Sequence, residues 1–190
     1  MRLLFILIII LTSFANSLPF SIDDASTLAQ NHTEIQLGLS HGSENEYLYS
    51  IKHGLTNNAD IGIYTTYGEN PTATFTYVLV PNLIGTEFST TLGTSEYTLT
   101  QMLSRTFNNF EIAGDLNENF EGGTKNHSIS YGVLATYQIG PTTNGLEYVR
   151  DDNNHYKIAS QILLNEWLQL NLGIVWENHW TGLSGIILKF

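Results

Sequence analysis

The 190-residue sequence contains no cysteine and few basic residues. Without cysteine, the chain forms no disulfide, no thiolate metal site and no cysteine nucleophile. Its 7 Lys and Arg residues stand against 18 Asp and Glu residues, for a formal net charge of −11. Nucleic acids and anionic lipid surfaces attract basic patches, so this balance argues against a nucleic-acid partner and against docking on lipid by charge alone. Charged residues make up 13% of the chain, about half the usual 25% share.

The first residues have the pattern of a secretory signal peptide. Met1 and Arg2 precede the apolar run from Leu3 to Leu11, and small and polar residues follow as far as Ser17. This pattern predicts a signal peptide over residues 1–17. The alternative, a membrane-anchoring helix, needs about 20 apolar residues, roughly twice the length of this run. No later segment is long and apolar enough to span a membrane as a helix.

Residues 18–32 are predicted to form an N-terminal periplasmic segment ahead of the first strand. Two alternatives stay open for it. It either inserts into the periplasmic mouth of the domain that follows, with Asp23 and Asp24 pairing there, or it forms a flexible tail.

The rest of the chain repeats one pattern, in which runs of about ten residues alternate apolar and polar side chains between turns. In the last run, Ile186, Leu188 and Phe190 share one face. The runs predict about twelve strands, with ten as the alternative. They start near Thr33, Tyr47, Asp60, Thr74, Glu87, Tyr97, Phe110, Ser128, Gly145, His155, Trp167 and Thr181. Gln101 and Arg105 fall on the apolar face of the sixth strand, which predicts a shifted register or a β-bulge there.

The polar faces of these strands carry mostly Thr, Ser, Gly, Gln and Asn, and the charges gather in the turns. A soluble barrel would turn its apolar face inward and expose Lys, Glu and Asp. Aromatic residues recur near strand ends, where the girdles of membrane barrels lie. We therefore predict an all-β fold, an antiparallel transmembrane up-and-down β-barrel over residues 33–190, with a soluble β-domain as the alternative.

Location and partners follow from this prediction. The barrel is expected in the outer membrane of a Gram-negative bacterium, in contact with outer-membrane lipids. The terminal Phe190 would serve as the C-terminal signal for the barrel assembly machinery.

The start of the predicted mature chain is similar to a known family. Pro19 to Leu28 runs into the strand Glu34 to Gly38, and Lys52 to Gly62 follows as Lys-His-Gly-Leu-Thr-Asn-Asn-Ala-Asp-Ile-Gly. These segments resemble the outer-membrane β-barrels of the MetA-pathway of phenol degradation family, which are described as transporters. His53 stands where that family usually has tyrosine, and Asn57 replaces an acidic residue. The resemblance implies an outer-membrane barrel and transport of aromatic compounds.

Strand parity places a polar row on the inner face. Its pore-lining candidates are Glu34, Gln36, Lys52, Tyr64, Glu87, Glu111, Asp115, Glu147, Lys157, Gln161 and Lys189. Acids outnumber lysines among them, which predicts a mild preference for cations, since rings of carboxylates favour cations. In the alternative interpretation, these residues only stabilise the barrel through ion pairs and hydrogen bonds.

The predicted function is a narrow channel or transporter for small solutes, aromatic or apolar. A non-conducting structural or adhesion barrel is the first alternative and an outer-membrane lipid hydrolase the second. The hydrolase would use histidines expected near the outer rim, which are His41, His127, His155 and His179. No motif fixes a catalytic triad or a metal site among them, so we expect no enzyme activity, no cofactor and no metal.

Overall fold

The computed structural model describes residues 25–41, 45–122, 127–151 and 153–190. The predicted signal peptide, residues 1–17, lies outside the described residues, as do Asp23 and Asp24. Among the described residues, no α-helix reaches the length and apolar character that a bilayer span requires.

The described chain folds into strands joined by short connections. They are β1 Thr33–His41, β2 Asn45–Thr56, β3 Ala59–Thr66, β4 Thr72–Val80, β5 Ile84–Thr91, β6 Glu96–Phe107, β7 Phe110–Glu121, β8 His127–Ile139, β9 Thr142–Arg150, β10 Asn154–Asn165, β11 Leu168–Trp176 and β12 Trp180–Lys189. Each begins within three residues of its predicted start. The hydrophobic alternation therefore located every strand.

Each strand pairs antiparallel with its neighbours in sequence, and β1 pairs with β12 to close the sheet. The closing seam runs in continuous register from Glu34 opposite Lys189 to His41 opposite Gly182. The prediction of a twelve-stranded antiparallel barrel is confirmed, and the alternative of ten strands is wrong.

The two ends of the barrel differ in their connections. At the terminal end, where β1 starts and β12 ends, the connections are two or three residues long. Asn108 and Gly140 take positive φ angles of 56° in two of these turns, and both residue types tolerate that conformation. At the opposite loop end, the connections span three to five residues.

Most of the large apolar side chains of the barrel point outward. Leu146 and Ile158 on the outer face are 61% and 53% exposed, whereas Glu147 and Asn171 on the inner face are 4% and 0% exposed. Because side chains alternate between the two faces of a strand, this arrangement extends around the sheet. It is the reverse of a soluble barrel, which turns its apolar face inward.

Aromatic side chains ring the outer face near both ends. At the loop end, they contact one another across neighbouring strands, with ring centroids 4.8 Å apart for Tyr97 and Phe120 and 4.9 Å apart for Trp176 and Trp180. At the terminal end, the exposed aromatic residues include Phe107, Tyr137, Trp167 and Phe190.

Gln101 and Arg105 do lie on the outer face, but β6 keeps continuous register with both neighbours. The predicted shift or bulge in this strand is wrong. Gln101 donates a hydrogen bond to Thr86 Oγ1 at 3.0 Å, and the Arg105 guanidinium lies 5.7 Å from the centroid of the Phe107 ring. These local partners let two polar side chains stay on an apolar surface. The register shifts occur instead near the terminal ends of β2, β4 and β10.

Part of the barrel interior is packed with apolar side chains. Ala113, Leu134 and Ala159 form a buried cluster on β7, β8 and β10, and Val149 of β9 packs against it. Leu183 and Ile187 of β12 are also buried. These side chains therefore fill part of the interior next to β7 to β10 and β12.

Replacing a side chain of this cluster tests the packing. We expect Leu134→Ala to lower the free energy of unfolding by about 2 to 5 kcal/mol, because it leaves a cavity inside the barrel. Leu146→Ala on the outer face is the matched control and should cost less, since the surrounding medium fills the space. Urea unfolding followed by tryptophan fluorescence measures both. Equal losses would contradict the assignment of the two faces.

Candidate functional site in the barrel lumen

The inner face carries all eleven residues predicted to line a pore, as strand parity requires. Six of them border one cavity of about 430 Å³ in the lumen, which are Glu34, Gln36, Lys52, Tyr64, Glu87 and Asp115. The other five, Glu111, Glu147, Lys157, Gln161 and Lys189, lie on the inner wall away from this cavity's lining. We call the cavity of about 430 Å³ the lower cavity.

A second cavity of about 390 Å³ lies toward the loop end and is called the upper cavity. Its lining includes Glu96, Glu121 and His127 near the rim. Both cavities share four lining residues, which are Tyr64, Ser89, Thr98 and Asn119. The two cavities therefore adjoin, and we call them together the passage, which extends from the loop-end rim toward the terminal end.

The three lysines on the inner wall all have carboxylate partners. Lys157 Nζ lies 3.2 Å from Glu147 Oε1, and Lys189 Nζ lies 3.7 Å from Glu34 Oε2. These two pairs join residues directly opposite each other on neighbouring strands. Buried lysines need such partners because an unpaired charge is costly away from water.

Lys52 makes the third pair, 3.6 Å from the Oδ1 atom of Asp60, whose side chain is fully buried. Asp60 Oδ2 also accepts a hydrogen bond from the backbone N–H of Leu28 at 3.0 Å. Asp60 thus joins the wall of the lower cavity to the segment that precedes β1.

On the opposite wall of the lower cavity, two carboxylates have uncharged residues opposite them in the sheet. Glu87 lies between Thr76 and Thr100, and Thr76 Oγ1 donates to Glu87 Oε2 at 2.9 Å. Asp115 faces Met102 on one side and Gly132 on the other. The wall formed by β5 to β7 is therefore acidic.

Residues 25–32 cross the terminal end of the barrel, and we call them the strap. Asn31 donates its N–H to the Gly54 carbonyl at 2.9 Å, next to β1. Ala25, at the far end of the strap, is fully buried and donates its N–H to Ser104 Oγ of β6 at 3.1 Å. The described part of this segment therefore lies across the terminal end of the barrel, and the expected contacts of Asp23 and Asp24 lie outside the described residues.

Gly54 makes this crossing possible. A Cβ atom at position 54 would lie 2.2 Å from the Ala29 carbonyl oxygen and 2.7 Å from that of Leu28. Only glycine therefore lets the strap lie this close to β2.

Two connections at the loop end meet at His155. Its Nε2 lies 3.1 Å from Asp151 Oδ1, and its Nδ1 lies 3.8 Å from Glu177 Oε2. Partial burial acts to raise the pKa of the Asp151 carboxyl. The hydrogen bond from the Asn153 backbone N–H and the contact with His155 outweigh it, so the pKa lies below its usual value. Asp151 is therefore charged at neutral pH, and its contacts with Asn153 and His155 hold this connection in place.

Two other rim histidines contact uncharged neighbours. His41 Nδ1 lies 2.7 Å from Asn45 Oδ1, and the His127 ring stacks 6.3 Å from that of Phe120. Within the part of the chain that the structure describes, no group of three or more His, Asp or Glu side chains is placed to hold a metal ion.

Sequence reasoning missed Asp60 as a residue of the inner face. The third strand was expected to begin near this position, but Asp60 was not included among the inward-facing residues. The alternation that places Tyr64 inward also places Gly62 and Asp60 inward, so the signal was present. The apolar interior cluster around Leu134 was missed because a mostly polar inner face was expected.

No protein-family model and no curated protein matches the chain in sequence. Its fold, however, is similar to those of solved barrels. The KdgM porin superposes with a TM-score of 0.69 at 12% identity, covering 83% of this chain and 99% of that one. The outer-membrane channel COG4313 from Pseudomonas putida F1 has a TM-score of 0.61 at 11% identity, covering 90% of this chain and 100% of that one.

A third similar structure is the outer-membrane protein Omp33 of Acinetobacter baumannii, with a TM-score of 0.59 at 9% identity over 85% of this chain and 99% of that one. At these identities the likeness concerns the fold. The resemblance to the MetA-pathway family stays a prediction. The chain has the barrel fold of outer-membrane porins and channels.

Proposed function

We propose that this protein is a channel of a Gram-negative outer membrane that admits small polar solutes and prefers cations. The observation that carries the proposal is the reversal of the barrel's faces, with apolar side chains outside and a polar passage inside. The terminal end would face the periplasm, and the loop end would face the exterior.

The dimensions of the barrel suit a bilayer. Its strands are eight to 13 residues long, and a tilted strand needs about 9 to 11 residues to cross the hydrocarbon core. The closed sheet pairs the strands all the way round, which a hydrocarbon environment demands. The aromatic residues at both ends of the outer face match the two membrane interfaces.

The passage is acidic. Its two cavities are lined by the carboxylates Glu34, Glu87, Glu96, Asp115 and Glu121 and by one lysine, Lys52. At an ionic strength of 0.1 M, charges act over about 10 Å, so solutes in a narrow passage feel these groups. Hydroxyl, amide and carboxylate groups on the walls favour polar solutes over the apolar ones that the family resemblance implies.

The charge of the passage bears on whether this chain could take the ligand of a structural neighbour. The KdgM porin has also been solved in complex with disordered oligogalacturonate, with a TM-score of 0.65 to this chain. Oligogalacturonate is a polyanion, and an acidic passage would repel it. We therefore assign this chain to solutes of neutral or positive charge.

The strap lies at the terminal end of this passage and would limit flow there. The Leu28 backbone N–H donates a hydrogen bond to Asp60, which forms an ion pair with Lys52 of the lower cavity. A solute leaving the lower cavity would therefore meet the strap, which makes residues 25–32 the restriction of the channel.

Ion selectivity tests the proposed charge preference. In planar bilayers with a tenfold KCl gradient, the reversal potential should show a potassium-to-chloride permeability ratio above about 2 at low salt, falling toward 1 at high salt. The double variant Glu87→Gln/Asp115→Asn should lower the ratio. Glu118→Gln on the outer face of β7 is the matched control and should leave it unchanged. Anion preference in the unmodified protein would contradict the proposal.

Filling the space that Gly54 leaves for the strap tests whether the strap restricts the channel. We expect Gly54→Ala to displace the strap, because the new methyl group collides with the carbonyl oxygens of Leu28 and Ala29. Single-channel conductance should rise. Gly182→Ala, whose Cβ would find its nearest neighbour 3.8 Å away, is the control and should not change it. If neither the unmodified protein nor Gly54→Ala conducts, a structural or adhesion barrel replaces the channel.

A further inference from the structure

One aromatic side chain points into the passage. Among the Phe, Trp and Tyr residues of the twelve strands as described, Tyr64 of β3 alone occupies an inward position. Its side chain stays 42% exposed and lines both the upper and the lower cavity. Tyr64 therefore lies at the junction of the two cavities.

Carboxylates lie on both sides of this junction. In the upper cavity, Glu96 and Glu121 lie directly opposite each other on β6 and β7. Like charges in that position repel, and a cation between them relieves the repulsion. In the lower cavity, Glu87 of β5 and Asp115 of β7 line the same wall, with β6 between them.

The arrangement suits one chemical class. An aromatic face attracts cations through the negative charge of its π-system, and quaternary ammonium groups are strongly bound by this contact. Carboxylates nearby add long-range attraction, and the hydroxyl groups of Ser89 and Thr98 at the same junction can bond a polar tail. A cavity of about 430 Å³ is within the size range of small-ligand sites.

We propose that Tyr64, together with Glu87 and Asp115, forms a binding site for small organic ammonium ions inside the passage. This proposal rests on the proposed channel function and names the solute class of the same lumen. Tyr64 contacts the ammonium group, and the two carboxylates attract the positive charge as the ion moves from the upper to the lower cavity. A neutral molecule of the same shape gains little from this site.

Choline and its uncharged carbon isostere, which carries a tert-butyl group in place of the trimethylammonium group, form a matched pair of probes. Isothermal titration calorimetry with the detergent-solubilised protein measures the binding of each without requiring conduction. Choline should bind at least about tenfold more tightly than the isostere. Equal binding of the two probes, or no binding of choline, would overturn the proposal.

Variants locate the site. Tyr64→Leu should weaken choline binding roughly three- to thirtyfold, and Tyr64→Phe, which keeps the ring, should stay within about twofold of the unmodified protein. Tyr131→Leu removes a ring of similar exposure from the outer face and should have no effect. Glu87→Gln should weaken binding independently of any change at Tyr64. Unaltered binding in both Tyr64→Leu and Glu87→Gln would contradict the assignment.

Bilayer currents distinguish a failure of the binding site from a failure of the channel function. Cation-selective currents without choline binding would leave the channel in place and remove the ammonium site. Choline binding without currents in the unmodified protein and in Gly54→Ala would retain the site and remove the channel function.

Discussion

The pairing of β1 with β12 is the constraint on which the rest of the structure depends. At the terminal end, Thr33 and Phe190 exchange backbone hydrogen bonds of 2.8 and 2.9 Å across this seam. Once the sheet is closed, alternation leaves each side chain only two surroundings, inside or outside. Most large apolar residues occupy the outside, so most polar residues of the strands lie in the lumen, where charges must find partners.

That confinement explains the organisation of the lumen. Lys157 and Lys189 are matched by carboxylates directly across the sheet, and Lys52 by Asp60. Apolar packing around Leu134 fills part of the interior, and the open passage is lined by residues of β1 to β8. The acids on β5 to β7 then give this passage its charge, and the strap, hydrogen-bonded to Asp60, lies across its terminal end.

The sequence predicted the fold nearly in full, because a two-residue period is a direct record of which face each side chain takes. Strand number, inner-face residues such as Glu87 and the opposing characters of the two ends all followed from this period. The register of β6 was mispredicted, since the partners that accommodate Gln101 and Arg105, Thr86 and Phe107, become visible only when strands are paired.

The candidate site was predictable only in part. Parity placed Tyr64 and Asp115 inward, but it could not show that the two border one cavity, which depends on how a ring of twelve strands closes. Contact of the strap with Gly54 and Asp60 joins segments far apart in sequence and leaves no periodic signal. The apolar cluster around Leu134 was not predicted either. Small and apolar residues on a mostly polar face look like breaks in the alternation, not like a packed cluster.

The orientation of the two faces can be measured directly because the chain has no cysteine. Single cysteines replacing Leu146 on the outer face and Thr98 in the passage would be labelled with a fluorophore in protein reconstituted into liposomes. We expect brominated lipid to quench the label at position 146, and a water-soluble quencher to quench the label at position 98. The reverse pattern, or quenching of the label at position 146 by the aqueous reagent alone, would contradict a barrel whose apolar face meets hydrocarbon.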